Sequence, residues 1–239
     1  LKGNTCVQVD KLPEKEDPPS PSDLKLLQSY SGEFNWLATR SRPDISYYTS
    51  LLASSCTKQS SWSFDFAQKV LRFLVHTKKQ GILITCAGDL SILDDFTDAG
   101  YAGADTKSQT GLVAVWGGSI ITWRSSRQTV STLSTCEAEL NAATLGWQII
   151  EGARLLLADF GIILPHVRVL IDNAAALTIA KCGANWRTRY LAVRGHRLHE
   201  EHIAGRAHLV HCPTKVMLAD CLTKLASPGV ILILHEAMN

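Results

Sequence analysis

Apolar residues in the first third of the chain recur at helical spacing. A helical stretch begins at Ser22 and breaks near Gly32, and Pro43 is placed to begin a second helix. A third helix is predicted to end near Thr77, since four apolar positions share one of its faces: Phe66, Val70, Phe73 and Leu74. The short apolar run 82–86 predicts a strand.

After Leu90 the pattern changes to alternating positions and short apolar runs, which favour strands. Strands are predicted at 91–97, 111–116, 119–124, 167–171 and 208–212, and Gly117-Gly118 is a hairpin signal. Helices are predicted at 136–160, 174–181, 188–204 and 216–225. This order predicts an α/β fold, a mixed five-stranded sheet flanked by helices and preceded by a small helical segment.

Composition divides the chain into four segments. Residues 1–21 are rich in proline and charge, and we expect a disordered linker. The helical segment covers 22–89 and the α/β domain covers 90–226. The tail 227–239 has no assigned role, and its apolar run 230–234 fits a strand or a short helix.

The overall composition excludes some classes of protein. Of the 239 residues, 46% are hydrophobic and 19% are charged, which is enough to build a core. The apolar runs are far shorter than the roughly 18 to 20 residues of a membrane span, so no membrane partner is expected. Seven scattered cysteines, without a Cys-x-x-Cys pair, indicate reduced thiols in an intracellular setting, with cytoplasm or nucleus left open.

Four acids occupy informative positions in the predicted elements. Asp98 and Asp172 end strands, Glu139 lies near the start of the long helix, and Asp220 lies in the last helix. Gathered carboxylates repel one another unless a cation neutralises them, and hard oxygen ligands suit Mg²⁺ or Mn²⁺. Two such ions roughly 3.5 to 4 Å apart would flank a phosphodiester. Each acid alone also has a structural explanation, as a helix cap or a favourable charge at a helix start.

A set of motifs occurs in order along the chain. They are Phe-Thr-Asp98-Ala-Gly-Tyr-Ala-Gly, Thr110-Gly, Ile-Thr-Trp123-Arg-Ser-Ser-Arg-Gln, Thr132-Leu-Ser-Thr-Cys-Glu-Ala-Glu-Leu, Ile-Asp172-Asn-Ala-Ala-Ala-Leu and Pro213-Thr-Lys-Val-Met-Leu-Ala-Asp-Cys-Leu-Thr-Lys. Together they resemble the ribonuclease H domain of copia-type LTR retrotransposon polyproteins, over about residues 90–225. The stretch Asn35-Trp-Leu-Ala-Thr-Arg-Ser-Arg-Pro-Asp-Ile-Ser resembles the segment that joins reverse transcriptase to that domain.

The resemblance implies a ribonuclease-H-like fold that cleaves the RNA strand of RNA–DNA hybrids inside a polyprotein. The partners it implies are the hybrid and the remainder of the reverse transcriptase polyprotein. It implies two Mg²⁺ ions, with Mn²⁺ as a substitute, and four catalytic metal ligands: Asp98, Glu139, Asp172 and Asp220. Glu139 is chosen over Glu137 because the family's acid directly precedes an aromatic residue or leucine.

The chain also departs from the family pattern. Four positions differ from the residues common in the family, which puts substrate contacts and helix packing in question rather than metal binding: Leu140, Tyr190, Ala192 and Leu225. The paired aspartates of the polymerase are absent, so no polymerase activity is expected. Asp94 and Asp95 are expected on a solvated strand edge instead.

Basic residues flank the four acids in sequence and interleave with Trp123 and Trp186. Arginine and lysine beside an aromatic platform are typical of a nucleic-acid groove, although a solvated helical face would look similar. The residues expected to bind nucleic acid are Arg124, Arg127, Arg187, Arg189 and Lys215.

Two other functions compete with the nuclease. A catalytically silent domain derived from a retroelement would bind nucleic acid or a protein without cleavage. A transposase or integrase would have the acids in the order Asp, Asp, Glu, whereas Glu139 comes second here.

Overall fold

The computed structural model of the protein describes residues 6–9, 11–102 and 107–239. The helices are α1 Pro21–Arg40, α2 Ser46–Ser55, α3 Ser60–His76, α4 Thr135–Asp159, α5 Ala174–Cys182, α6 Ala192–Ile203 and α7 Pro228–Met238. The strands are β1 Ile92–Gly100, β2 Gln109–Trp116, β3 Ser119–Arg127, β4 His166–Ile171 and β5 His208–His211. Short 3-10 turns occur at Pro43–Ile45, Arg189–Leu191, Thr214–Val216 and Leu218–Leu222.

The five strands form one mixed sheet in the order β3-β2-β1-β4-β5. The β1–β2 and β2–β3 pairs are antiparallel, whereas the β1–β4 and β4–β5 pairs are parallel. The turn between β2 and β3 contains Gly117 and Gly118 at φ 58° and 82°, a conformation that glycine adopts without strain. The expected mixed five-stranded sheet, flanked by helices and preceded by a helical segment, is confirmed.

Three of the local predictions are wrong. Helix α1 does not break near Gly32, because that glycine faces solvent while Leu27, Phe34 and Ala38 keep the opposite face buried. Residues 82–86 form no strand, because their backbone bonds elsewhere, for example from Leu83 N to Met238 O at 2.6 Å. The helix predicted at 216–225 is replaced by two 3-10 turns.

The tail after Ser227 forms α7, the helical one of the two alternatives considered. Its buried residues Ile231, Leu234 and Met238 join an apolar cluster that also contains residues of the helical segment and of the sheet. Other members of this cluster are Phe34, Ile45, Tyr48, Phe66, Phe73, Val113, Ile120 and Leu222. The domain boundary after residue 89 stays a prediction, although this core is continuous across it.

A second apolar cluster lies between the sheet and α4, α5 and α6, and it includes Leu93, Leu140, Trp147, Val169, Ile179 and Leu198. Asp95 lies in the same layer and is fully buried. The expected solvated edge at Asp94-Asp95 is therefore wrong, because β1 is an inner strand of the sheet. Asp94 is half-buried and forms two hydrogen bonds with Arg168 of β4, at 2.5 and 2.6 Å.

The described residues before α1 pack against the helical segment. The side chain of Asp17 accepts hydrogen bonds from the backbone N and the hydroxyl of Ser61, at 2.9 and 2.6 Å. The amide of Gln59 donates to Pro13 O at 3.2 Å, and Val7 is buried. Part of the expected linker, residues 1–5 and 10, lies outside the described residues. In the described part of the chain, no helix is long and apolar enough to cross a membrane.

Candidate functional site

Three of the four predicted acids meet at one edge of the sheet. Asp98 comes from β1, Asp172 directly follows β4, and Glu139 comes from the start of α4. One carboxylate oxygen from each lies within 4.8 Å of the others. The strands β1 and β4 are parallel neighbours, so their carboxyl ends meet at the same edge. We call these three residues the carboxylate cluster.

Two members of the carboxylate cluster are buried, and Asp172 is half-buried. Asp98 and Glu139 are only 5% and 6% exposed. Burial, followed by the charges of Asp98 and Asp172, raises the pKa of Glu139 to about 9. Burial also raises the pKa of Asp98 to about 6, against a hydrogen bond from Thr223 that lowers it.

The donor set fits a hard divalent cation. Glu139 Oε2 is buried and has no hydrogen-bond partner in the described part of the protein. An unpaired buried carboxylate oxygen beside two further carboxylates is unfavourable without a neutralising charge. Oxygen ligands of this kind are those that Mg²⁺ and Mn²⁺ prefer.

Asp220 lies beside the carboxylate cluster, outside the set of oxygens within 4.8 Å. It is 4% exposed and lies in the 3-10 turn Leu218–Leu222, where its Oδ1 is 2.5 Å from Lys224 Nζ. Its charge nevertheless contributes to the raised pKa of Asp98, so the two carboxylates are near neighbours.

Two threonines and a lysine that were not predicted as site residues hold these acids. The hydroxyl of Thr223 donates to Asp98 Oδ2, and the hydroxyl of Thr214 donates to Asp172 Oδ2 at 2.9 Å. Lys224 pairs with Asp220. All three belong to the last of the ordered motifs, so the motif was the available signal, but it does not say which acid each residue contacts.

Glu137 and Glu139 have different environments on α4. Glu137 Oε2 accepts from Leu133 N at 2.9 Å, and Ser134 Oγ accepts from Glu137 N at 3.2 Å. Ser134 thus caps the helix, and Glu137 ties the residue before this cap to the first turn, so both stabilise the start of the helix. Glu139, two residues later, points to the carboxylate cluster instead.

Two of the five basic residues predicted to bind nucleic acid line a groove. Arg124 and Arg127 border a cavity of about 290 Å³ between β3, α4 and α6, together with Arg194. Arg127 also borders a second cavity of about 530 Å³ that reaches Glu139, Thr223 and Lys224. Arg127 therefore borders both cavities, and the second of them is also bordered by Glu139 of the carboxylate cluster.

The other three predicted basic residues are exposed. The guanidinium of Arg187 stacks 5.0 Å from the ring centroid of Trp186, and Arg189 lies in the following 3-10 turn. Lys215 is adjacent to Thr214, which contacts Asp172.

Comparison with known proteins locates the chain among retroelement proteins, although no family model matches it. It is 29% identical over 210 residues to the retrovirus-related Pol polyprotein from transposon RE2 of Arabidopsis thaliana, covering 86% of this chain and 14% of the relative. It is 27% identical over 197 residues to the retrovirus-related Pol polyprotein from transposon TNT 1-94 of Nicotiana tabacum, a match that covers 81% of this chain and 15% of the relative. This chain is related to Pol polyproteins.

The chain spans about 14% of the length of the first of these curated relatives. The resemblance to copia-type Pol polyproteins that the ordered motifs indicated is confirmed. Among solved structures, LC11-RNase H1 isolated from compost is similar with a TM-score of 0.46 and 17% identity, covering 56% of this chain and 93% of that one.

Proposed function

We propose that this chain is the ribonuclease H part of a retrotransposon Pol polyprotein and cuts the RNA strand of RNA–DNA hybrids internally. The observation that carries the proposal is the convergence of Asp98, Glu139 and Asp172 within 4.8 Å. Three separate motifs of the Pol resemblance supply these three acids, so the sequence similarity and the geometry support the same site.

We propose Asp98, Glu139, Asp172 and Asp220 as the ligands of two Mg²⁺ ions, with Mn²⁺ as a substitute. Asp98 would be a ligand placed near both Asp172 and Asp220, since the charges of both raise its pKa. Glu139 and Asp172 would each hold one or the other ion, and Asp220 would complete the second position. When bound, the ions would neutralise the carboxylates, acidify a water molecule and stabilise the leaving oxygen.

The protein's own groups prepare these ligands. Thr223 donates to Asp98 and favours its ionised form, while Thr214 fixes the orientation of Asp172. Burial raises the pKa of Glu139 to about 9, and a bound divalent cation would favour its ionised form. Lys224 compensates the charge of Asp220 in the metal-free protein.

The basic groove supplies the contacts to substrate. Arg124, Arg127 and Arg194 border one cavity, and guanidinium groups bind phosphate oxygens through paired hydrogen bonds. We propose Arg187, Arg189 and Lys215 as further contacts, because they are exposed and cationic. The remainder of the polyprotein is the proposed protein partner.

Cleavage of an end-labelled RNA–DNA hybrid with Mg²⁺ tests the proposal. Wild type should cut the RNA strand internally, and Asp172→Asn should lose this activity while still binding the hybrid. Asp65→Asn is the matched control, since Asp65 is an exposed acid on α3 and should be dispensable. Folded wild type that binds the hybrid without cutting it would instead support the catalytically silent domain.

A further inference from the structure

The cavity beside the carboxylate cluster has one wall that comes from the helical segment. Its volume is about 530 Å³, and Glu139, Thr223 and Lys224 border it on the side of the sheet. Helix α2 borders it as well, through Tyr47, Ser50, Leu51 and Ser54. Residues that precede the α/β domain by some forty positions therefore share one cavity with Glu139, one of the four proposed catalytic acids.

This wall is fixed to the sheet by hydrogen bonds. The amide nitrogen of Gln109 on β2 donates to Ser50 Oγ at 3.0 Å and to Ser125 Oγ at 2.8 Å. The indole nitrogen of Trp123 on β3 donates to Ala38 O of α1 at 2.5 Å. Because these contacts are backed by a shared apolar core, α2 holds a defined position relative to the carboxylate cluster.

The lining of the cavity suits a polyanion. Among the described residues that line it, Lys107, Arg127 and Lys224 are cationic and Glu139 is the one acid, and Lys224 also pairs with Asp220 behind the lining. Such a concentration of positive charge attracts the sugar–phosphate backbone of nucleic acid.

Tyr47 is the aromatic residue of this wall. It is half-buried, its ring lies 6.4 Å from that of Tyr48, and no hydrogen bond within the described chain engages its hydroxyl. Burial raises the pKa of Tyr47 although nearby Arg127 opposes the shift, so the hydroxyl remains a donor at neutral pH.

We propose that α2 is part of the substrate-binding surface and that Tyr47 is a positioning residue contacting the hybrid's sugar–phosphate backbone beside the carboxylate cluster. The hydroxyl donates to a phosphate oxygen, and the ring packs against a sugar or base. This inference rests on the proposed ribonuclease function. It assigns to the helical segment a direct role in holding substrate.

Two variants that introduce opposite charges at position 47, Tyr47→Glu and Tyr47→Lys, test the inference. Binding of a fluorescent RNA–DNA hybrid is measured by anisotropy without divalent metal, and KM and kcat are measured with Mg²⁺. Tyr47→Glu should raise Kd and KM about tenfold by repelling the backbone, whereas Tyr47→Lys should lower Kd and steepen its salt dependence by about one ion. Both variants should keep kcat within about twofold of wild type, since a backbone contact of this kind acts on binding.

Matched substitutions at Tyr30 separate this role from a structural one. Tyr30 is also a half-buried tyrosine of the helical segment, where it stacks on Phe34, so Tyr30→Glu and Tyr30→Lys should leave Kd unchanged. If both Tyr47 variants bind like wild type, or both weaken binding equally, the inference is overturned. Should either charged variant fail to fold, Tyr47→Phe decides, with a two- to threefold rise in Kd expected for one lost hydrogen bond, about 0.5 kcal/mol.

The same measurements keep the inference separate from the proposed function. If wild type binds the hybrid but does not cut it, the proposed nuclease function is contradicted. Opposite changes in Kd for Tyr47→Glu and Tyr47→Lys would still support the proposed binding surface. If wild type cuts the hybrid and the Tyr47 variants have the same Kd and KM as wild type, only the proposed role of α2 and Tyr47 is contradicted.

Discussion

The hydroxyl of Thr223 donates a hydrogen bond to Asp98 Oδ2, which joins the turn after Asp220 to the inner strand β1. Thr223 Oγ1 also lies 3.1 Å from the backbone carbonyl O of Asp220, a second acceptor for the same proton, so one buried side chain contacts two of the residues proposed as ligands. Its hydroxyl opposes the effect of burial on Asp98 by favouring the ionised carboxylate.

Thr223→Val should make the proposed activity more sensitive to acid. Burial already raises the pKa of Asp98 to about 6, and loss of the hydrogen bond raises it further, so protons compete better with Mg²⁺ at low pH. The Mg²⁺ concentration for half-maximal cleavage should rise about three- to tenfold at pH 6.5 and much less at pH 8. Thr223→Ser retains the hydroxyl and is the control. An equal rise at both pH values would contradict this account.

Asp95→Asn should stabilise the protein increasingly as the pH rises. Both carboxylate oxygens of Asp95 are buried without a hydrogen-bond partner among the described residues, and burial raises its pKa well above 3.8. Below pH 3.8 both folded and unfolded chains hold the proton, so Asp95 makes no pH-dependent contribution there. Above it the unfolded chain releases the proton while the folded chain keeps it, and wild type loses stability.

Urea unfolding of wild type and Asp95→Asn at several pH values measures this effect. The gain in free energy of unfolding for the variant should be small near pH 4 and exceed about 1 kcal/mol at pH 7. A gain that does not change with pH would show that Asp95 does not titrate as described.

Gly146→Ala should destabilise the contact between α4 and β1. A Cβ at this position would overlap Asp95 Oδ2 and would lie 2.6 Å from Thr97 Cγ2, so helix and strand would have to separate. We expect a loss of about 1 to 3 kcal/mol in thermal or urea unfolding. Gly152→Ala on the same helix has nothing within 4 Å of its Cβ and should instead gain up to about 1 kcal/mol. Equal effects at both sites would refute the steric explanation.

Asp44→Asn should cost far more stability than removal of a surface ion pair. Asp44 is fully buried and pairs with Arg42 at 2.7 Å and with His235 of α7 at 2.9 Å. Burial opposes its ionisation, but hydrogen bonds from His235 and Arg42 outweigh burial and lower its pKa. Because the folded pKa is lowered, this contribution is present above pH 3.8 and is lost as the pH falls below it.

The expected loss for Asp44→Asn is about 3 to 5 kcal/mol at pH 7, since Arg42 stays buried without its partner. Glu16→Gln is the control, because its pair with Lys58 joins two side chains that are 60% and 65% exposed. That change should cost no more than about 1 kcal/mol. Similar losses for both variants in urea unfolding would mean that burial of the Asp44 pair is unimportant.

The sequence predicted those features that depend on local pattern and on the order of motifs. Asp98 and Asp172 were placed at strand ends, which the structure brings together, and Glu139 was distinguished from Glu137 by the residue that follows it. The capping pair of Glu137 with Ser134 is likewise a local pattern.

Features that depend on tertiary contacts were missed. The burial of Asp95 follows from the inner position of β1 and from the close approach of Gly146 on α4. Neither feature can be read from the sequence around Asp95. Residues 82–86 have strand-like composition, but their backbone partners include Met238 of α7 instead of a neighbouring strand. The position of Tyr47 beside the cavity was also not predicted, because α2 and Glu139 border the same cavity only in the folded chain.

The shared apolar cluster has a consequence for biosynthesis. Phe34 near one end of the chain and Leu234 near the other belong to the same core. At a ribosomal rate of about 5 to 20 residues per second, the first helices would wait roughly 10 to 40 seconds for α7 to emerge. During that interval the part of their apolar surface that α7 covers in the folded protein stays exposed, and such surface is what chaperones bind.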